Sequence, residues 1–304
     1  MQLGFIQMKP LVTIAIPAYR PEYIATTLRS ALGQSYDNIE VLVHDQCPTD
    51  AVYNIVQQFP TVKYFRFVDN GISIPSRAIQ NFSQAIQKSR GEYVNLLCDD
   101  DVLHPFCIEH LLAPLLDNPA LSMSFSNRQI IDEENKFKDV LKKIMVEENT
   151  EISSRVYYRG LVHRLENLIG ETSVGLFRTQ NIQYRPNGMI DFFGMDLNIH
   201  PDIGIWMLCA QKGPLYFVAE VLSYWRSHPN QDTQTNASRC PERNWRYIVQ
   251  TAGEQNLVSQ KEYMVALKRL VPWFTEVLQR TEIIREHLDW AIAELEKHKA
   301  SSNR

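Results

Sequence analysis

The sequence predicts an α/β fold: a doubly wound, mostly parallel sheet with a helical C-terminal extension. Two observations carry that prediction. Short apolar runs alternate with stretches of helical periodicity from residue 11 to residue 126, the pattern left by helices that cross over between parallel strands. Beyond residue 260 the apolar residues recur at three- and four-residue steps instead, which is helix without intervening strand.

Along the chain, residues 11–16 read as a buried strand stopped by Pro17, and residues 21–32 as a helix with Ile24, Leu28 and Ala31 on one face. Residues 39–43 form a second strand that ends at His44 and Asp45. Thr49 then stands where it can cap a helix reaching Phe59, with Val52, Ile55, Val56 and Phe59 at helical spacing. A strand over 62–68, a helix over 75–88, a strand over 93–97, a helix over 104–116 and a strand over 121–126 complete this half. Residues 132–151 are strongly charged and read as a surface loop, a short exposed helix or a flap over a substrate. A mixed region follows over 157–227, closing with strand-like runs at 215–218 and 221–225.

In the C-terminal part, Met264, Leu267, Val271, Phe274 and Leu278 share a helical face, and Ile284, Leu288, Ala291 and Leu295 continue it after a phase slip. Pro272 is expected to kink or start a helix there. These helices are expected to pack on the domain or on a second copy of the chain. Their polar side mixes acidic and basic residues, which disfavours a membrane-surface helix.

At 304 residues, 44% hydrophobic and 22% charged, the chain has the make-up of a globular protein with ample core. Its 31 basic and 35 acidic residues give a net charge of −4, so no global field recruits nucleic acid. The five cysteines form no C-x-x-C pair and are odd in number, which argues for reduced thiols in the cytoplasm rather than a disulfide frame. Residues 1–10 lack the basic and apolar regions of a signal peptide, and no apolar run approaches the roughly 20 residues that span a bilayer. Peripheral association with a membrane stays compatible with this composition.

The most informative run is residues 91–101, an apolar stretch that ends in Asp99, Asp100 and Asp101. Three adjacent carboxylates repel, and no cation lies nearby in the sequence to offset them; solvation or a divalent metal would. Such an oxygen-rich site suits Mg²⁺ or Mn²⁺ holding a diphosphate better than Zn²⁺. In doubly wound sheets ligands bind beyond the carboxyl ends of the strands. Those ends carry Tyr19 and Arg20, Asp45 and Gln46, residues 69–71, and Asp99 to Asp101, so four loops should converge on one crevice. Strand alternation would turn Asp99 and Asp101 one way and Asp100 the other.

Residues 12–19, 43–45, 76–81 and 91–101, then 167–178, 202–207 and 224–228, together resemble the nucleotide-sugar domain of family-2 glycosyltransferases. Each motif alone is weak; their order and spacing are fairly specific. The resemblance covers residues 10–230 and implies the GT-A fold, with a donor half over 10–130, an acceptor half over 150–230 and the helical extension over 240–300. It implies inverting transfer from a nucleoside diphosphate sugar, a UDP-sugar favoured, to a saccharide or lipid-linked saccharide. The setting would be assembly of a bacterial surface polysaccharide, in the cytoplasm or at the inner face of the membrane, with the C-terminal helices available for a homo-oligomer.

The resemblance also assigns residues. Pro17, Tyr19, Asp45, Arg77 and Asp99 would bind the donor, Asp100 would hold Mn²⁺ or Mg²⁺ with Asp101 and His228 beside it, and Asp202 would be the catalytic base. For several of these a structural role stands next to the functional one. Asp45 can accept the imide N–H of uracil or close an Asx turn before Pro48. Tyr19 can stack on the base or be a loop aromatic. Arg77, on one helical face with Asn81, can reach base or phosphate or simply be exposed. Asp202 can take the acceptor proton and also cap a helix over 203–209. His228 can lie at the metal or be structural.

Four departures from the family pattern qualify the resemblance. Cys98 stands where many relatives carry Asp; the last acid of the family's metal motif falls on Asp100, which leaves Asp99 and Asp100 as the core pair, Asp99 by the donor ribose or sugar and Asp101 as an orienting neighbour. Gly204 replaces a usual second acid, so a supporting carboxylate would come from Asp191 or Asp196. Gln46 and Cys47 follow Asp45 in place of an acidic, Gly-containing turn, and Arg20 replaces a common Asn. Two rival functions are a nucleotidyltransferase, which would want a Gly-rich basic loop after the first strand, and a non-catalytic nucleotide-sugar binder. No Gly-x-Ser-x-Gly, P-loop, His-Glu-x-x-His or Gly-x-Gly-x-x-Gly motif supports other chemistry.

Overall fold

The computed structural model describes residues 9–67, 77–141, 146–195, 197, 200–231 and 240–302. The first half is β1 (Val12–Ala18), α1 (Ile24–Leu32), β2 (Ile39–Asp45), α2 (Ala51–Val56), β3 (Lys63–Arg66), α3 (Arg77–Lys88) and β4 (Tyr93–Leu96). It continues with β5 (Val102–Leu103), α4 (Cys107–Asp117), β6 (Met123–Ile131), β7 (Phe137–Leu141) and β8 (Thr150–Ile152). Then come α5 (Ser154–Arg164), β9 (Gly175–Arg178), α6 (Pro201–Lys212) and β10 (Leu215–Arg226). Three helices follow: α7 (Asn244–Glu254), α8 (Gln260–Leu278) and α9 (Arg285–Ser302).

Among the described residues, ten strands form one sheet in the order β3-β2-β1-β4-β9-β6-β10-β5, with β7 added to β6 and β8 to β10. Strands β1, β2, β3, β4, β6 and β10 run one way, and β5, β7, β8 and β9 run against them. The period-two alternation of the strands supplies two cores. Ile14, Ile16 and Val43 face α1, α2 and α4, whereas Ala15, Leu42 and Leu96 face α3, α5 and α6. Trp245, Leu267, Phe274 and Leu288 of the C-terminal helices are buried in that second core, so the extension packs on the sheet domain. No described helix is long and apolar enough to cross a membrane, and the five cysteines are free thiols.

Several expectations change. Pro17 does not stop β1; it lies inside the strand, in register with His44. Its missing N–H costs nothing, because the β4 ladder ends at Ala15 and Leu96 and Pro17 faces the side that β4 has left. The runs at 215–218 and 221–225 are a single strand, β10, whose register against β6 shifts on either side of Val221. The charged segment folds back as the β6–β7 hairpin, and residues 142–145 lie outside the described residues. Pro272 sits inside α8, whose start is set instead by a capping box between Ser259 and Glu262. Residues 68–76, with the expected loop at 69–71, also lie outside the described residues.

The opposite end of the sheet from the acidic run is tied together by Glu40. Its carboxylate accepts from Thr13 Oγ1 at 2.9 Å and Arg90 Nε at 2.7 Å, and pairs with Lys63. Burial pushes this carboxyl up, but those partners outweigh it and bring it down to about 2. The stabilisation is therefore present above the ordinary glutamate range and lost as pH falls from there toward 2. Glu40→Gln is expected to lower unfolding stability at pH 7 by about 2 kcal/mol, discounted because Lys63 and Arg90 are solvent-exposed. Denaturant melts of the two proteins at pH 7 and pH 3 check this; the gap should narrow at the lower pH.

Candidate active site

β4 ends at Leu96, and Asp99 and Asp100 lie in a turn beyond it. Strand alternation therefore does not govern the three aspartates, and they point in three directions. Asp99 Oδ2 accepts from the backbone N–H groups of Tyr19 at 2.7 Å and Arg20 at 2.8 Å, joining the β4 loop to the end of β1. Asp100 Oδ2 lies 3.0 Å from His228 Nε2, its only side-chain partner among the described residues. Asp101 is buried, and both oxygens are engaged: Oδ2 by Ser173 Oγ at 2.6 Å and Oδ1 by the Arg226 N–H at 3.0 Å. Thr27 Oγ1 lies within 3.0 Å of the Asp99 and Asp101 carbonyls and fixes the turn from below.

The cation missing from the local sequence is Arg226, at the end of β10. Its buried guanidinium donates to the Asp100 carbonyl at 2.8 Å, the Asp132 carbonyl at 2.8 Å and Asn135 Oδ1 at 2.8 Å, and stacks 4.4 Å from the Tyr23 ring centroid. One side chain thus clamps the acidic turn to the β6–β7 hairpin. Even so, burial and the Asp100 charge push Asp99 up to about 7, against the pull of the Arg20 and Tyr19 amides. Asp101 is driven up too, by burial and then by Asp100 and Glu171. Such crowding disfavours full ionisation and suits a site that receives a cation.

Asp202 is not the N-cap of α6. His200 holds that place, Pro201 follows it, and Asp202 stands in the first turn, where the helix dipole favours an anion. Asn167 Nδ2 donates to Asp202 Oδ2 at 2.6 Å, and the same Asn167 accepts from the Ile169 and Gly170 amides. Burial pushes Asp202 up to about 6, moderated by the Ile203 amide, Arg128 and Asn167.

The acid placed near Asp202 is Glu171 rather than Asp191. Asp191 pairs with Arg185 at 3.3 Å and accepts from the Gly194 N–H at 2.7 Å, within its own loop, and Asp196 lies outside the described residues. Glu171 lies 2.7 Å from Arg128 Nε and is within electrostatic reach of both Asp202 and Asp100; burial and then the charges of those two push its carboxyl up. Gly204 cannot carry an acid, since a Cβ there would lie 2.4 Å from the Phe192 ring. Gly170, at φ +130°, gives Arg128 its space, because a Cβ would stand 2.4 Å from a guanidinium nitrogen. Sequence reasoning assigned no role to Arg128, Glu171, Ser173 or Arg226. Arg128 stands toward the carboxyl end of β6, and the strand-end rule applied to that strand would have found it.

At the carboxyl end of β2, Asp45 is fully buried. Its Oδ1 accepts from the Cys47 N–H at 2.7 Å, the Asx turn, and its Oδ2 takes Tyr64 Oη at 2.7 Å and Arg66 at 3.0 Å. Tyr19 is exposed and Pro17 is buried beneath it in β1. α3 begins at Arg77, whose side chain lies outside the described residues; Asn81 one turn on bonds His44 at 2.6 Å and the Ala18 carbonyl at 3.1 Å.

A group that can hold a metal is present: the ligand atoms of Cys98, Asp100 and Asp101 lie within 4.8 Å of one another. Asp100 and His228 supply a carboxylate and an imidazole from two loops, a donor set that fits a divalent cation.

Parallel strands that deliver acids to one edge, closed by the antiparallel β9 and the return of β10, define a nucleotide-sugar fold of the GT-A type. The chain belongs to glycosyltransferase family 2: the model described as Glycosyl transferase family 2 matches residues 13–178. An uncharacterised glycosyltransferase of Rickettsia bellii is 24% identical over 263 residues, covering 83% of this chain and 35% of that protein, so the chain spans about a third of that relative. A putative teichuronic acid biosynthesis glycosyltransferase of Bacillus subtilis, TuaG, is 25% identical over 245 residues, 78% of this chain and 86% of that one. The crystal structure of residues 1–349 of TarS from S. aureus, in complex with UDP-GlcNAc, superposes with a TM-score of 0.65 at 14% identity. It covers 94% of this chain and 80% of that one, a likeness of fold.

Proposed function

We propose that the chain is an inverting, divalent-metal-dependent glycosyltransferase that moves a sugar from a nucleoside diphosphate sugar to a hydroxyl of a saccharide or lipid-linked saccharide. The observation that supports this most is Asp202: a carboxylate that burial raises to about 6 and Asn167 fixes, with Glu171 in electrostatic reach of both it and Asp100. A base in that state is ionised at neutral pH yet can hold a proton. Asp202 takes the proton of the acceptor hydroxyl while its oxygen bonds to the anomeric carbon; the bond to the diphosphate breaks on the opposite face and the configuration inverts. When bound at Asp100 and His228, with Asp101 behind them, Mn²⁺ or Mg²⁺ supplies charge neutralisation for the leaving diphosphate.

In this reading the nucleotide lies over the loops that carry Pro17, Asp45 and Asp99, the two carboxylates shaping those loops through their contacts with the protein, with the exposed Tyr19 ring offered to the base and Arg77 to a phosphate. UDP is favoured because TarS, which shares the fold, is solved with UDP-GlcNAc. TuaG, described as acting in teichuronic acid biosynthesis, favours a role in a bacterial surface polysaccharide. A panel of UDP-sugars assayed for UDP release with and without Mn²⁺ tests the proposal. Metal-dependent release from at least one donor is expected, with a donor at 100 times its Kd stabilising the fold by about 2.7 kcal/mol in a thermal melt. No release and no stabilisation with any donor would reject it.

A further inference from the structure

Cys98 occupies the place of an expected acid, and the mechanism above leaves it unused. Its Sγ shares the 4.8 Å cluster with Asp100 and Asp101, and Asp100 in turn lies 3.0 Å from the imidazole of the buried His228. The prior commitments of these groups differ. Asp101 already accepts from the Ser173 hydroxyl and the Arg226 amide, so its oxygens hold the turn in place. Among the described residues, the Asp100 carboxylate has His228 as its one side-chain partner. Among the described residues the Cys98 sulfur meets the Thr172 hydroxyl at 3.7 Å and the Ser173 hydroxyl, weak interactions for a weak donor and acceptor. The groups least committed to the protein are therefore one sulfur, one imidazole nitrogen and one carboxylate, drawn from the ends of β4 and β10.

We propose that Cys98 is a ligand of the divalent metal in this chain. The centre is then a mixed sulfur, nitrogen and oxygen site that selects Mn²⁺, Co²⁺ or Zn²⁺ over Mg²⁺. Magnesium takes hard oxygen ligands and keeps much of its water, whereas thiolate and imidazole shift the preference toward the transition metals. The oxygen-rich, hard site expected from the aspartates gives way to a softer one, because Asp101 is spent on structure and Cys98 stands in the ring of donors. The inference rests on the reading of this edge as a metal centre.

The test is a Co²⁺ titration of the intact chain, followed by calorimetry and by the near-ultraviolet sulfur-to-cobalt charge-transfer absorption, for the parent, Cys98→Ser and Cys98→Asp. The parent should bind Co²⁺ with the charge-transfer band, and both variants should lack the band. Cys98→Asp should also shift the preference for Mg²⁺ over Co²⁺ by roughly tenfold or more, as ligand-sphere changes do. Binding heat without the band, or a band that persists in Cys98→Ser, would overturn the sulfur ligand and leave the metal centre standing. No heat from Co²⁺, Mn²⁺ or Mg²⁺ in the parent would overturn both.

Discussion

Asp202→Asn is expected to lower turnover by about 10²–10⁴-fold while leaving donor binding unchanged. That range corresponds to roughly 3–5 kcal/mol of barrier. The amide keeps the shape of the side chain and can still accept from Asn167 Nδ2, the contact that orients Asp202, so what is lost is the ability to take a proton. The acid–base behaviour gives a second signature. Burial pushes Asp202 up to about 6, so turnover should rise with pH through that value and level off above it. The sign for stability runs the other way. The folded state holds this proton more tightly than the unfolded chain, so ionising Asp202 costs folding stability as pH rises through 6. The variant should therefore be at least as stable as the parent at pH 7.5. Parallel kcat measurement, donor titration and thermal melting separate the two; equal turnover would remove Asp202 from the chemistry, and a large drop in melting temperature would make its role structural.

Asp100→Asn should be comparably damaging, on the order of 10³-fold in turnover, because a bound metal offers several kcal/mol of charge stabilisation to the leaving group. The three acids differ in how far each is free to bind. Asp99 is held by two backbone amides and Asp101 by a hydroxyl and an amide, whereas Asp100 meets, among the described side chains, only that of His228. The loss should appear in Mn²⁺ affinity and in metal-dependent nucleotide binding, with little loss of folding stability. Titration of Mn²⁺ into both proteins decides it; unchanged affinity would move the metal site away from Asp100.

The half of the fold that follows local rules was legible in the sequence. β1, β2 and β4 are apolar runs ended by polar loops, and α1, α3 and α4 carry apolar faces at helical spacing, so the crossover pattern was readable. β9 was not, being a four-residue strand whose role as the antiparallel wedge between β4 and β6 depends on its partners. The continuity of β10 was hidden by the irregular register around Val221.

The site divides in the same way. Asp99, Asp100 and Asp101 announced themselves as adjacent charges, but their division of labour is set by Tyr19, Ser173 and Arg226. Arg226 lies 125 residues beyond Asp101, a pairing that no local pattern encodes. Glu171 was likewise invisible as the acid beside Asp202, because it reaches that place through a loop held by Asn167 and the indole N–H of Trp206 on Gly170. Gly204 is an acid position closed off by the Phe192 ring, which only packing could show.

In the proposed function, the edge formed by Asp99, Asp100 and His228 is a metal-dependent nucleoside diphosphate site. Calorimetric titration of UDP into the parent protein, once with Mn²⁺ and once with a chelator, tests it most directly. Saturable binding that requires Mn²⁺ and disappears in Asp100→Asn is the predicted result. UDP binding of equal strength with the chelator present, or none with Mn²⁺, would contradict it.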